Sequence, residues 1–325
     1  MTGSASAAQA AADYRVLRED AGAIELPGWA VLRVHGGDAR SFLQGMASQD
    51  LSRLRPGEAV RTFFLTEKGR PVALAWIGAS VDRAVPDAAS AAGAPPGGTP
   101  GEGICVIADE GARDSLPAHL ERFRVMEDVG FEGPDGMPRL LAVAGPGRNR
   151  ILAGATAVIH GATALAGEPL SFLLLPPETP PISLPALVDP AAFEAWRLAI
   201  GLPRTGVDFD AERIATELSL PEAISTTKGC YVGQEVVART STRGHVRRHR
   251  VGFRLPWPGE PLPRGTELRT GGSVAGFITS TAAEPGTGEG LGMGYLSGEA
   301  LEAGVEPLAV DGPRTVPIRV APWPL

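Results

Sequence analysis

Cysteine is nearly missing from this chain: Cys105 and Cys230 are the only two in 325 residues. That excludes a disulfide scaffold and any metal centre built from cysteine alone. There is no CxxC and no HExxH, and the five histidines are scattered, so no metal-ligand set is read from the sequence. Long apolar runs are also missing. None approaches the roughly 18–20 residues that span a bilayer, and no membrane association is expected. The opening residues, MTGSASAAQAAADY, have no basic segment, no apolar core and no Arg before Arg15. They match neither a secretory signal nor a transit peptide. The expectation is a cytoplasmic protein with a disordered tail over residues 1–14.

What is present suits a globular protein. Hydrophobic residues make up 43%, and the length is enough for a substantial core in two or three domains. Ala30–Val34 reads as a strand broken by Gly36-Gly37, after which Asp38 is placed to cap a helix starting near Ala39. Phe42, Leu43 and Met46 give that helix its apolar face, and Gly45 inside it suggests close backbone approach. Thr62–Leu65, the Lys68-Gly69 turn and Val72–Ile77 form a hairpin pattern. The pattern resumes at Cys105–Ile107 after an Ala/Pro/Gly-rich stretch, 81–103, read as a disordered insertion. Asp114–Phe123 is a helix candidate; Leu140–Val143 and Leu170–Leu175 read as buried strands. Asp189-Pro190 opens a helix with Phe193, Trp196 and Ile200 on one face, ended by Gly201 and Pro203.

The expected class is therefore α+β, with two rough strand–helix halves across residues 15–242. Beyond Arg250 the texture becomes short strands separated by Pro- and Gly-rich turns, the pattern of a small β-barrel over 243–325.

Charge is the other asymmetry. From Lys228 to Arg250 six basic residues face one acid, Glu235, which is net +5 in a chain of −7. A cationic segment in an acidic protein suggests an anionic ligand or partner, or else a merely solvated arginine-rich hairpin. The segment opens with Lys228-Gly-Cys-Tyr-Val-Gly-Gln-Glu235. This run, the Ala-Arg pair ending at Arg239 and the Gly-x-x-Arg-Arg ending at Arg248 resemble the signature of the YgfZ family. Two further elements resemble the same family: Ser41–Asp50, and Arg197-Leu-Ala-Ile-Gly-Leu-Pro203. The resemblance covers most of the chain and is sharpest over 197–248.

The resemblance implies a T-protein-like fold: a folate-binding α+β core of ferredoxin-like units followed by a C-terminal β-barrel. It implies tetrahydrofolate or a derivative as cofactor. Its implied partners are iron–sulfur client enzymes or assembly proteins, with an indirect link to tRNA through tRNA-modifying clients. It departs from the related aminomethyltransferase at three positions. A pterin-holding Glu there is Ala199 here, and strand aspartates there are Ala73 and Leu74 here. A carboxylate can position or deprotonate an amine and a methyl group cannot, so classical aminomethyl transfer is not expected.

Each residue of the motif carries two readings. Cys230, set among basic residues, is the candidate catalytic thiol; the bland alternative is a small buried hydrophobe. Cys105 reads as core. Gly229 and Gly233 are expected to permit backbone geometry that a Cβ would strain. Tyr231 either stacks on a pterin or packs at a domain junction. Gln234 and Glu235 either bind a heterocycle edge or cap a helix. Arg239, Arg247 and Arg248 suit the glutamate tail of folate, RNA phosphates, or ion pairs with Glu212 and Glu217. By resemblance, Arg197 and Lys228 join the folate set. Few aromatics interleave with the basic run, which makes a dedicated RNA-reading surface the weaker alternative.

Overall fold

The computed structural model describes residues 2–79, 103–133, 139–158, 163–180, 186–242, 246–257 and 259–325. In chain order the elements are α1 (Thr2–Glu19), β1 (Gly22–Glu25), β2 (Ala30–His35), α2 (Ala39–Met46), β3 (Ala59–Leu65), β4 (Pro71–Ala79), β5 (Ile104–Ala108), α3 (Ser115–Phe123), β6 (Gly130–Glu132), β7 (Arg139–Ala144), α4 (Arg148–Val158), β8 (Thr163–Leu165) and β9 (Ser171–Leu175). There follow α5 (Pro190–Ala199), α6 (Gln234–Thr242), β10 (Arg248–Pro256), β11 (Glu267–Thr270), β12 (Ser273–Ala283), β13 (Glu289–Ser297), α7 (Gly298–Ala303), β14 (Leu308–Asp311), β15 (Arg314–Pro317) and β16 (Arg319–Ala321). Among the described residues no helix is long and apolar enough to cross a membrane.

Two compact units divide these elements. One comprises 19–187 and 221–234; the other comprises 1–18, 188–220 and 235–325. Residues 188–220, expected in the first domain, thus group with the barrel strands.

The first unit holds two antiparallel sheets, ordered β3-β4-β5-β2-β6 and β1-β7-β9-β8. The succession strand, helix, hairpin occurs twice, as β2-α2-β3-β4 and as β7-α4-β8-β9. This is the pseudo-repeat that no sequence similarity reveals. α2 buries Ala39, Phe42, Leu43 and Met46 against a cluster that includes Leu32, Phe64, Ala73 and Ile77. On the opposite face of β4, Trp76 meets Phe172 of β9 edge-on at 5.3 Å between ring centres. Near-continuous apolar runs, Leu140–Ala144 in β7 and Phe172–Leu175 in β9, suit strands that are buried along almost their whole length. Gly69 of the β3–β4 turn has φ +67°. The expected insertion, 81–103, lies outside the described residues apart from its last position.

In the second unit the strands after Arg248 form one antiparallel sheet, ordered β15-β14-β11-β12-β13-β10-β16. Its inner face carries Phe253, Leu268, Ile278 and Ile318. α5 starts as its sequence predicts, with the Asp189 carboxylate accepting from Ala191 N at 2.8 Å and Pro190 at the first turn. Two expectations are corrected. The amino-terminal stretch is a helix rather than a tail, because Ala10, Tyr14 and Leu17 recur at helical spacing and are all buried. Its alanine-rich composition hides that stripe. Asp38 makes no side-chain cap to α2; its carboxylate instead accepts from Asp128 N at 2.8 Å.

Candidate functional site

The loop between Ile224 and the start of α6 carries the Lys-Gly-Cys-Tyr run, and it is fastened to the first unit at several points. Upstream, Ser48 is the anchor. Its hydroxyl donates to Ala223 O at 2.6 Å, and its carbonyl accepts from Ser225 N at 2.9 Å. Gln49 Nε2 donates to Glu222 O at 2.6 Å. Downstream, Val232 N donates to Gly45 O at 3.1 Å, and Val232 packs on the α2 core cluster.

Lys228 supplies the central fastening. Its ammonium donates to Gln44 O at 2.6 Å, Ala47 O at 2.7 Å and Gln49 O at 3.0 Å. These carbonyls lie at and just beyond the C-terminal end of α2, where unpaired carbonyls carry the negative end of the helix dipole. An ammonium has three donors, and all three are used. Burial pushes this amine down to about 8, with Asp50 opposing the shift. The ammonium also lies 5.2 Å from the centre of the Tyr231 ring. Lys228 is thus a fastening of the loop, without a donor left for a cofactor.

The two motif glycines differ. Gly233 has φ +83°, and a Cβ there would fall 2.5 Å from Thr66 O and 3.0 Å from Leu65 Cβ. Only glycine fits against the β3–β4 turn. At Gly229 a Cβ would meet nothing within 4 Å and φ is not in the left-handed region. The fold therefore gives no account of glycine at 229, and the expected geometric demand exists at 233 alone. Gly45 is similar: a Cβ there meets nothing, and its role at the loop is a carbonyl that any residue supplies.

Cys230 follows Gly229, and its side chain is exposed. The reading as a buried hydrophobe does not hold for it. It holds for Cys105, which is buried and whose thiol burial pushes up to about 12. Tyr231 is half-buried, and its N–H donates to Gln234 Oε1 at 3.1 Å; burial raises its phenol. Gln234 thereby does the work of a helix-start residue, and Glu235, exposed, sits in the first turn of α6.

Arg197 is also differently employed. It is 1% exposed. Nε and Nη2 bind Glu194, Nη1 binds Asp208 at 2.9 Å and Leu202 O at 3.2 Å, and Nη2 also reaches Ser280 at 3.1 Å. All five N–H donors are spent inside the second unit, so the expected cofactor role is not available to it. Burial opposes the charge on Asp208, but Arg197 and the Ser280 and Thr279 hydroxyls hold its carboxyl below the usual range. The cationic run is smaller than its composition suggests. Arg250 is buried, donating to Leu218 O at 2.6 Å and Gly201 O at 2.7 Å beneath the Trp323 ring. Arg239, Arg247 and Arg248 are exposed, and Arg248 lies over Phe277. Glu212 and Glu217, offered as partners for that run, face Arg213.

The three positions that depart from the transferase are in the core: Ala73 and Ala199 are 0% exposed and Leu74 is 1% exposed. Acids there would be buried and would each need a partner. Sequence reasoning missed the Ser48, Gln44 and Gln49 contributions, since most act through backbone carbonyls that no residue type announces. It also missed Arg61 of β3, which pairs with Glu222 beside the loop.

Residues 248–325 match the family described as the glycine cleavage T-protein C-terminal barrel domain. An aminomethyltransferase of Rubrobacter xylanophilus is 27% identical, over 96% of this chain and 85% of its own length. A tRNA-modifying protein YgfZ of Yersinia enterocolitica is 27% identical over 79% of this chain and 80% of its own. A mitochondrial iron–sulfur cluster assembly factor of Mus musculus is 25% identical over 83% of this chain and 75% of its own. The crystal structure of the glycine cleavage system aminomethyltransferase T from Bartonella henselae superposes with a TM-score of 0.73, at 18% identity, over 97% of this chain and 89% of that one. The fold is that of this last protein: an α+β core with a C-terminal barrel sheet.

Proposed function

We infer, from a chain that belongs to the YgfZ- and T-protein-like family, a cytoplasmic accessory protein that binds tetrahydrofolate or a derivative. It supports the assembly or repair of iron–sulfur clusters in client enzymes, tRNA-modifying ones among them. The observation that carries this reading is the exposed Cys230 thiol on a loop fastened on both sides. A rigid loop presents a nucleophile or transient metal ligand without an ordering cost at the moment of encounter. The relatives named for tRNA modification and for cluster assembly support the same direction.

For the folate, Arg197 and Lys228 have no free donors and Gly233 is occupied by packing. Of the motif residues in the first unit, Tyr231 stays suitable, its ring able to stack on a heterocycle, together with Gly229 and Gln234. When bound, tetrahydrofolate supplies one-carbon chemistry or a structural signal; the chain's own part is to hold it and to present Cys230.

The test titrates tetrahydrofolate onto wild type and Cys230→Ala and measures an iron–sulfur enzyme in cells carrying each. Equal folate binding, with enzyme support lost only in the variant, is the expected result. Full support by Cys230→Ala would remove the thiol from the function.

A second reading, folate-dependent aminomethyl transfer, is favoured by the transferase relative that aligns over 96% of the chain. The buried, apolar Ala73, Leu74 and Ala199 oppose it. Formation of a one-carbon folate from tetrahydrofolate and a methylated amine would establish it.

A further inference from the structure

Among the described residues, three arginines are almost fully enclosed by their own unit, and they are satisfied very differently. Arg197 uses all five donors and Arg250 reaches two carbonyls through short bonds. Arg61 is the exception. Its side chain is 10% exposed, one Nη reaches Glu222 Oε1, and its Nε is buried without a hydrogen-bond partner. Burial lowers its pKa and Glu222 opposes that, yet a guanidinium stays protonated in any protein. A buried cation with an unmet donor is costly unless something completes it.

The surroundings indicate what that is. Arg61 is paired with Trp76 in the β3–β4 register. Glu222 is 51% exposed and lies on the short 3-10 turn Pro221–Ala223. That turn is held by its backbone, through Ser48 to Ala223 O and Gln49 to Glu222 O. The Glu222 carboxylate can therefore swing away while its main chain stays in place. The same turn leads directly into the Cys230 loop.

We propose that Arg61 is a carboxylate-recognition residue, that Glu222 occupies it in the ligand-free protein, and that a ligand carboxylate takes the place of Glu222. A guanidinium binds a carboxylate through two parallel N–H bonds, and the open Nε beside the Glu222-bonded Nη is one such edge. Within the folate reading, on which this extension rests, the ligand group is a carboxylate of the glutamate tail. Arg61 thus takes the role that the sequence assigned to the exposed arginines. The self-occupied site lowers apparent affinity by the fraction of protein in which Glu222 is away.

The experiment compares 5-formyltetrahydrofolate with its pteroate counterpart, which lacks the glutamate, on wild type, Arg61→Gln, Arg61→Lys and Glu222→Gln. A third probe, glutarate alone, is followed by thermal shift. Glu222→Gln is expected to bind the glutamate-bearing probe about fivefold or more tighter. Arg61→Gln is expected to bind it roughly tenfold or more weaker. Pteroate binding should be the same in all four proteins, and glutarate should stabilise wild type but not Arg61→Gln. Because Glu222 is half-exposed, its variant keeps the test valid even if Arg61→Gln fails to fold. Equal binding of the glutamate-bearing probe by wild type and Glu222→Gln overturns the proposal and leaves folate binding standing. If neither folate probe binds wild type while glutarate still acts through Arg61, the folate reading falls and the carboxylate site survives.

Discussion

Replacing Gly233 by alanine should separate geometry from chemistry in the cysteine motif. At φ +83° an alanine is in the left-handed region, at a cost of about 1–2 kcal/mol. Its Cβ would lie 2.5 Å from Thr66 O and 3.2 Å from Gly69 Cα, both backbone atoms of a tight turn that has little room to retreat. Forcing such a turn aside costs about 1–3 kcal/mol on the scale of overpacked cores. The sum, about 2–5 kcal/mol, approaches a sizeable part of a domain's stability. Gly229→Ala is the internal control: it meets open space and should stay within about 0.5 kcal/mol of wild type. Urea unfolding, with tryptophan emission as the signal, should show the Gly233 variant's midpoint lower by roughly 1–2 M and the Gly229 variant's unmoved. A Gly233→Ala protein as stable as wild type, or two glycine variants equally destabilised, would refute the reasoning. If Gly229→Ala folds normally yet fails to support an iron–sulfur enzyme, Gly229 serves an incoming molecule rather than the fold.

Other outcomes follow from the same geometry. Arg197→Met leaves Asp208 charged and buried, and should lose about 3–5 kcal/mol in a thermal or urea melt. Lys228 and Lys68 are the only lysines, so competitive acetylation read by mass spectrometry can follow each. Lys228 should titrate near 8, well below a free lysine at about 10.4. Between about 8 and the free-lysine value the unfolded chain holds the extra proton, so raising pH through that window favours the folded state at this residue. A thiol reagent should modify Cys230 in the native protein at neutral pH and reach Cys105, held near 12 by burial, only after denaturation.

The sequence was most legible where one periodicity or one local signal decides. The Asp189-Pro190 start of α5, the β3–β4 hairpin around Gly69 and the late strand series are visible because caps, turns and alternation act over a few residues. It was least legible where distant residues decide. Arg197 and Lys228 look like free cations in a one-dimensional reading. Their partners, Glu194 and Asp208 for one and three α2 carbonyls for the other, are supplied only by folding. α1 was hidden because alanine gives little periodic signal, and α4, with Ala and Gly through its middle, was hidden for the same reason. The exposure of Cys230, which separates a reactive thiol from a core one, is likewise a tertiary fact.

Lys228 reaches Gln44 across 184 positions of chain. The platform for the cysteine loop is therefore synthesised long before the loop itself. Closing so long a span costs only slowly more entropy than a shorter one, but it delays the event: non-local contacts form late. Until then the carbonyls at the end of α2 are left to water and Cys230 hangs on an unrestrained chain. The fastened Cys230 loop is thus a property of the finished chain, since its platform and its anchor lie at opposite ends of that span.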